Sequence, residues 1–284
     1  MRVIFVPVAN RPECSKALRA AFELARPLGS NLCGCHIRPH TKSAVTLPAE
    51  LGSFADYEAV WKTAWKGKKT VRSGAAAKAL FGKVAERFHY PLIKNPRLDP
   101  GALWLEKVGS PDKVLSIMGP VSDLIVVSRP AAKGGNLARM FMFAALLNSS
   151  RPVLVLPQTG IQTIGKRISI AWNQSAEAAQ AVSAAMPLLR LAEHVNIISC
   201  GPEARVGPKS TQLATYLRFW GIKAKRISTR TDDPKELLKA YQDTRSDLLV
   251  MGAYSRSRLR QRIFGGITEY MLHQANIPVL MLHT

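Results

Sequence analysis

The sequence predicts an α/β protein of two tandem domains, each an open, doubly wound parallel sheet of five strands. Three observations predict it. The chain has 284 residues, and at roughly 150 residues per domain it makes about two. Its two halves repeat one order of elements: DLIVVS (123–128) and RPVLVLP (151–157) return as DLLVMG (247–252) and IPVLML (277–282). Runs such as LLVM and VLML are continuously apolar rather than alternating, as expected of parallel strands covered on both faces.

The second half is the clearer copy. RISIAWN (Arg167 to Asn173) is its first strand. A helix follows over Ser175 to Arg190, with Ala178, Ala181, Val182, Ala185 and Leu189 at helical spacing and Ser175 placed to cap it. VNIIS (Val195 to Ser199) is the second strand, Ser210 to Trp220 a helix, and KAKRIST (Lys223 to Thr229) the third strand. Pro234 to Thr244 is helical, and the preceding Asp232 and Asp233 supply a cap and first-turn negative charge. DLLVMGAY (Asp247 to Tyr254) is the fourth strand. The last helix runs roughly Leu259 to Gln274, and IPVLML is the last strand.

The first half follows the same plan. VIFVPVAN opens it, Cys14 to Leu28 is its first helix, and NLCGCHI (Asn31 to Ile37) and ALWLEKV (Ala102 to Val108) are its second and third strands. A short helix starts near Pro111. DLIVVS, a helix near Ala138 to Ser149, and RPVLVLP complete it. Asn10 to Pro152 spans 142 positions and Asn173 to Pro278 spans 105, so the first half carries an insert, placed at about 38–74. The predicted divisions are a first domain over 1–157, a polar linker over 158–166 and a second domain over 167–284.

Composition narrows the functional classes. With 47% apolar and 21% charged residues the chain is globular, and no apolar run approaches the ~20 residues of a membrane helix. The apolar run at the amino terminus is too short for a secretory leader, and four cysteines do not make a disulfide scaffold, so a cytoplasmic location is expected. Forty Lys and Arg against nineteen Asp and Glu leave a formal charge of +21, a field that favours anionic partners without choosing among them.

In doubly wound sheets ligands sit beyond the carboxyl ends of the strands, where strand order reverses. That directs attention to Asn10, Asn173, Gly109 and the loop GAYSRSRLRQRIFGGIT (Gly252 to Thr268). Gly252 ends a buried strand, where a missing side chain lets backbone and ligand approach closely. Gly265 and Gly266 fall at the start of the last helix, with Thr268 just inside it. Amide groups at a helix amino terminus, joined by a hydroxyl, form a ready phosphate site. Arg256, Arg258, Arg260 and Arg262 populate the loop between.

These residues resemble the universal stress protein family, two copies in tandem. The resemblance rests on AWNQSAEAAQAV, DLLVMGAYSRSRLRQRIFGGITEYML and IPVLML in the second half, and on GSPDKVL, DLIVVS and RPVLVLP in the first. It implies Rossmann-like domains of the adenine nucleotide hydrolase type and a non-catalytic, nucleotide-binding role in stress response, with at most weak ATP hydrolysis. The ligand implied is ATP or a related adenine nucleotide, with no metal beyond nucleotide-associated Mg. The family's nucleotide motif is Gly, two residues, Gly, nine residues, Gly, then Ser or Thr. Here Gly252 and Gly265 match the first and third glycines, Ser255 stands at the second, and Gly266 replaces the hydroxyl residue. Asn173 stands where the family carries an acidic residue. Nucleotide contacts are thereby assigned to Ala171, Asn173, Met251, Gly252, Ser255, Gly265, Gly266, Ile267 and Thr268. In the first half, Ser128 stands at the first glycine position and Gly134 and Gly135 fall at the wrong offset, so that copy is expected to be degenerate. The two halves are expected to pack as an intrachain pseudo-dimer, with a homodimer as the further assembly.

Other readings carry less. Cys33, Cys35 and His36 lack the spacing and second ligand pair of a structural metal site, and read as buried small cysteines. No nucleophile, base and orienter set can be named among the catalytic motifs. The WKTAWKGKK segment (61–69) and the Arg-rich loop combine cations with aromatic rings, which makes a nucleic-acid or anionic-surface binder the alternative, not favoured over the nucleotide. A structural module without ligand is the third reading.

Overall fold

A computed structural model describes residues 1–9, 11–38, 69–130, 136–158, 163–253 and 266–283. The chain divides into two compact units, 1–158 and 159–284.

In the first unit, β1 (Val3–Pro7), α1 (Pro12–Leu28) and β2 (Asn31–Arg38) are followed by α2 (Lys69–Arg87), β3 (Leu92–Ile93) and β4 (Ala102–Val108). Then come α3 (Pro111–Met118), β5 (Leu124–Ser128), α4 (Asn136–Asn148) and β6 (Val153–Leu156). The strands lie in the order β3-β4-β2-β1-β5-β6, all parallel.

Two expectations are corrected here. The sheet has six strands rather than five, because Leu92–Ile93 adds a two-residue edge beside β4. So short a strand has no periodicity to read. Helix α2 (Lys69–Arg87) stands where the sequence suggests no helix, and its start lies inside the stretch 38–74 expected to be an insert. It buries Ala77, Phe81, Val84 and Ala85, and its Gly74 and Gly82 obscure that stripe in the sequence. Phe81 fills the space where a side chain on Gly34 of β2 would stand: a Cβ there would overlap the Phe81 ring. The rest of the insert, with Trp61 and Trp65, lies outside the described residues.

In the second unit, β7 (Arg167–Trp172), α5 (Ala176–Leu189), β8 (His194–Ser199) and α6 (Ser210–Phe219) precede β9 (Ala224–Ser228). They are followed by α7 (Pro234–Asp243), β10 (Leu248–Ala253), α8 (Gly266–His273) and β11 (Val279–His283). The strand order is β11-β10-β7-β8-β9, again parallel. Chain order therefore reverses between β7 and β10, and β9 is the edge of this unit's sheet. Ser175 caps α5 by accepting a hydrogen bond from the Ala178 amide at 3.1 Å, and Ala178, Ala181, Val182, Ala185 and Leu189 are buried at the predicted spacing.

One device appears in both units and accounts for the aspartate that opens each repeat. Asp247 accepts hydrogen bonds from the amides of Gly165, Lys166 and Arg167 at 2.9–3.1 Å, pinning the start of β7 beside β10. Asp123 does the same for Val3 at 3.0 Å at the start of β1.

Candidate functional site

The carboxyl ends of β7, β8, β9 and β10 surround a cavity of about 750 Å³ in the second unit, open to the amino terminus of α8. Of the nine residues named from the sequence, Ala171, Asn173, Met251, Gly252, Gly266, Ile267 and Thr268 line it. Ser255 and Gly265 lie outside the described residues, as do the four loop arginines. The floor is apolar and buried, with Ala171 and Met251 almost inaccessible. Asn173 turns its side-chain oxygen back onto the Ser175 amide (3.2 Å) at the entrance to α5. Its acceptor is thus committed to the turn, and its NH₂ group remains the donor it can offer a ligand.

The two motif glycines that are described differ in what they do. A Cβ on Gly252 would lie 2.7 Å from the Ala178 amide nitrogen and from the Glu177 carbonyl carbon. The close approach expected there for a ligand is made by the first turn of α5, so packing requires this glycine. A Cβ on Gly266 meets nothing within 4 Å among the described residues. Gly266 leaves open the mouth of a helix whose first amides have no partner within the helix.

Half the lining comes from loops that the sequence reading did not assign to the site. The β8–α6 loop brings Cys200, Gly201, Pro202 and Arg205, and the β9–α7 loop brings Arg230, Thr231, Asp232 and Asp233. Gly201 has φ +77°, and a Cβ there would sit 3.1 Å from the Asp232 amide nitrogen, so the loops pack backbone to backbone. The β8–α6 loop is latched by Gln174, which holds φ +62° at the end of β7. Its side-chain amide donates to the carbonyls of Arg205 and Gly207 at 3.0 Å, and its oxygen accepts from the Arg205 amide at 3.1 Å. Trp172 donates its indole N–H to the Pro208 carbonyl at 2.8 Å. Glu203 accepts from the Ser210 amide (2.7 Å) and the Ser199 hydroxyl (2.9 Å), tying the same loop to α6. Partial burial opposes its ionisation, but these hydrogen bonds and nearby Lys209 outweigh that and hold its carboxyl below the usual range. Asp233 caps α7 through the Lys235 amide at 2.8 Å, as the sequence suggests. Asp232, expected from the sequence to serve the same helix start, also lines the cavity. In a parallel sheet all carboxyl ends open on one side, and folding brings the ends of β8 and β9 to the same cavity as those of β7 and β10.

The first unit offers far less room at the equivalent place. Among its described residues the space at the ends of β1 and β5 is about 40 Å³, with Leu137 and Phe141 of α4 in its wall. The Ser128 hydroxyl donates to the Glu13 carbonyl at 2.9 Å and is occupied in packing. Cys35 and His36 are fully buried, with the His36 ring nitrogen Nδ1 2.9 Å from the Val8 carbonyl oxygen. Among the described residues no group of three or more His, Cys, Asp or Glu is placed to hold a metal ion. No described helix is long and apolar enough to cross a membrane.

All four thiols are held protonated. Burial is the leading cause in each case, and it pushes Cys14 and Cys33 up to about 11 and Cys35 and Cys200 up to about 12; Asp232 adds to the effect at Cys200. Because the thiolate is the nucleophile, the folded protein reacts sluggishly with Ellman's reagent at about pH 8. Unfolding in urea releases all four thiols. A thiol that reacts rapidly in the native protein contradicts this assignment.

Comparison with known proteins places this geometry. Residues 166–283 match the model of the universal stress protein family. A universal stress protein of Methanocaldococcus jannaschii is 27% identical over 74 residues, an alignment that takes in 26% of this chain and 46% of that relative. The chain thus spans under half the length of the curated relative it matches. Among solved structures, a universal stress protein from Archaeoglobus fulgidus DSM 4304 superposes with a TM-score of 0.70 at 14% identity, covering 99% of this chain and 96% of its own. A functionally unknown protein from Pseudomonas aeruginosa PAO1 gives 0.58 at 15% identity, covering 100% and 92%. At these identities the likeness is one of fold, and it extends over the whole chain.

Proposed function

We propose that the second unit binds an adenine nucleotide of the ATP type, and that the chain is a non-catalytic, nucleotide-responsive protein of stress physiology. On this reading the first unit is a second universal stress protein domain that has lost its pocket. The observation that carries the proposal is the convergence of seven residues, chosen from the sequence for nucleotide contact, on one cavity at the reversal of strand order. The family match over 166–283 supports it.

The phosphates lie against the first amides of α8, from Gly266 to Thr268, where the helix end favours negative charge. The nucleoside occupies the floor formed by Ala171 and Met251, with Asn173 as donor. Its far end meets the β8–α6 and β9–α7 loops.

The test uses the open position at Gly266. Because a Cβ there meets no atom of the described residues within 4 Å, Gly266→Ile is expected to keep the fold, checked by circular dichroism, while filling the mouth that the phosphates need. Titration calorimetry with ATP is expected to give one site per chain and at least a tenfold weaker affinity in the variant, the loss of a few charge-assisted hydrogen bonds. Equal affinity in the two proteins overturns the proposal.

A further inference from the structure

At the β9 edge of the second unit's sheet, the segment Ala204 to Thr231 contains seven Lys and Arg and no Asp or Glu. Three aromatic rings accompany these cations on the outside of the fold. Helix α6 turns Leu213 and Leu217 inward, and at i, i+3 and i+4 it sets Tyr216, Phe219 and Trp220 along one outer flank. Phe219 is 87% exposed, Trp220 45% and Tyr216 41%. Exposed aromatic rings grouped beside a polar strand are unusual, because burying them would contribute several kcal/mol, of order 25 cal/mol per Å². The chain turns directly from these rings into β9, whose outer side has no strand partner within the unit. Arg218, Lys223, Lys225 and Arg226 are all exposed along this turn and strand. None of these four is joined to a carboxylate among the described ion pairs. Arg230, farther along, is 3.8 Å from Glu236 and is left out of the surface.

We propose that α6 and β9 form a binding surface for single-stranded nucleic acid. Its phosphates would follow the cations of the turn and strand, and its bases would stack on Phe219, Trp220 and Tyr216. Cations alone would suit any polyanion, and an apolar flank alone would suit a protein. The combination of flat exposed rings, a carboxylate-free stretch and cations laid along an edge fits a strand with a charged backbone and free base faces. A duplex hides those faces and gains only the charge term. The surface is separate from the nucleotide cavity and stands independently of it.

The experiment is fluorescence anisotropy of a labelled single-stranded oligonucleotide of about 20 nucleotides against the full chain over a salt series. Two variants divide the forces. Phe219→Ala, at a position with almost no packing to lose, is expected to weaken binding roughly tenfold with the salt slope unchanged, as loss of one stacked base requires. Lys225→Ala with Arg226→Ala is expected to make the log–log salt slope shallower by about 1.4, two contacts at roughly 0.7 each. Gly266→Ile, which blocks the other site, leaves oligonucleotide affinity unchanged. The duplex of the same sequence binds more weakly than the single strand and ignores Phe219→Ala. Circular dichroism of each variant matches that of the parent. If Phe219→Ala binds like the parent, if Gly266→Ile abolishes binding, or if phosphatidylserine vesicles bind and lose affinity with Phe219→Ala while the oligonucleotide does not, the surface is not a single-strand site.

Discussion

Replacing Gly252 by valine destabilises the second unit by about 3 kcal/mol, the upper end of overpacking in a close-packed interior. The reason is geometric. A Cβ at this position lands 2.7 Å from backbone atoms of Glu177 and Ala178, and backbone cannot rotate aside as a side chain does. Helix α5 must lift from β10 or the strand must move, and the fully buried Leu249 and Val250 of β10 lose their packing as either shifts. Gly266→Ala supplies the contrast. With nothing among the described residues within 4 Å of its Cβ, it stays within roughly 0.5 kcal/mol of the parent. Thermal unfolding of the full chain measures both, and hydrogen exchange of α5 and β10 amides localises the damage. Equal midpoints for Gly252→Val and the parent would contradict this account.

Trp172→Ala costs about 3–5 kcal/mol, as expected for removing a buried tryptophan. The ring is 2% exposed at the end of β7 and anchors the β8–α6 loop through Pro208. The change therefore reaches function as well as stability. Arg205 and Pro202 lose a fixed position in the cavity wall, and limited proteolysis is expected to cut between 200 and 209 where the parent resists. Trp172→Phe retains most of the buried ring and loses only the indole donor, so about 1 kcal/mol is expected from urea unfolding. If the two variants are equally damaging, the hydrogen bond rather than the packed ring holds the loop.

Much of the fold is legible because local signals and tertiary structure agree. In the second unit β10 and β11 start and end within one or two residues of their apolar runs, since a strand covered on both faces has few polar positions to blur it. Ser175 and Asp233 cap their helices as their residue types suggest. What escaped depends on distant partners. Leu92–Ile93 is a strand only because β4 lies beside it. All of α2 escapes a reading that places no helix between β2 and β4, since Gly74, Gly82 and its lysines break the apolar stripe that Phe81 completes by packing over Gly34. At the site, Asn173, Met251 and Gly266 stood out because they belong to a recognisable loop and strand end. Arg205, Arg230 and Asp232 did not, since only folding brings the ends of β8 and β9 to the same cavity. Gly252 was read as leaving room for a ligand, yet the neighbour it admits is a helix, and sequence alone does not distinguish the two. Gln174 carries no signal in its residue type, and its left-handed φ appears only in the folded loop.

The most direct test of the nucleotide assignment is photolabelling with an 8-azido adenine nucleotide, followed by peptide mapping of the crosslinks. The account predicts one label per chain, displaced by unmodified ATP and confined to peptides bearing Ala171 to Asn173, Cys200 to Arg205, Arg230 to Asp233, Met251 to Gly252 or Gly266 to Thr268. Label in the first unit around Leu137 and Phe141, or label that ATP does not displace, would contradict it.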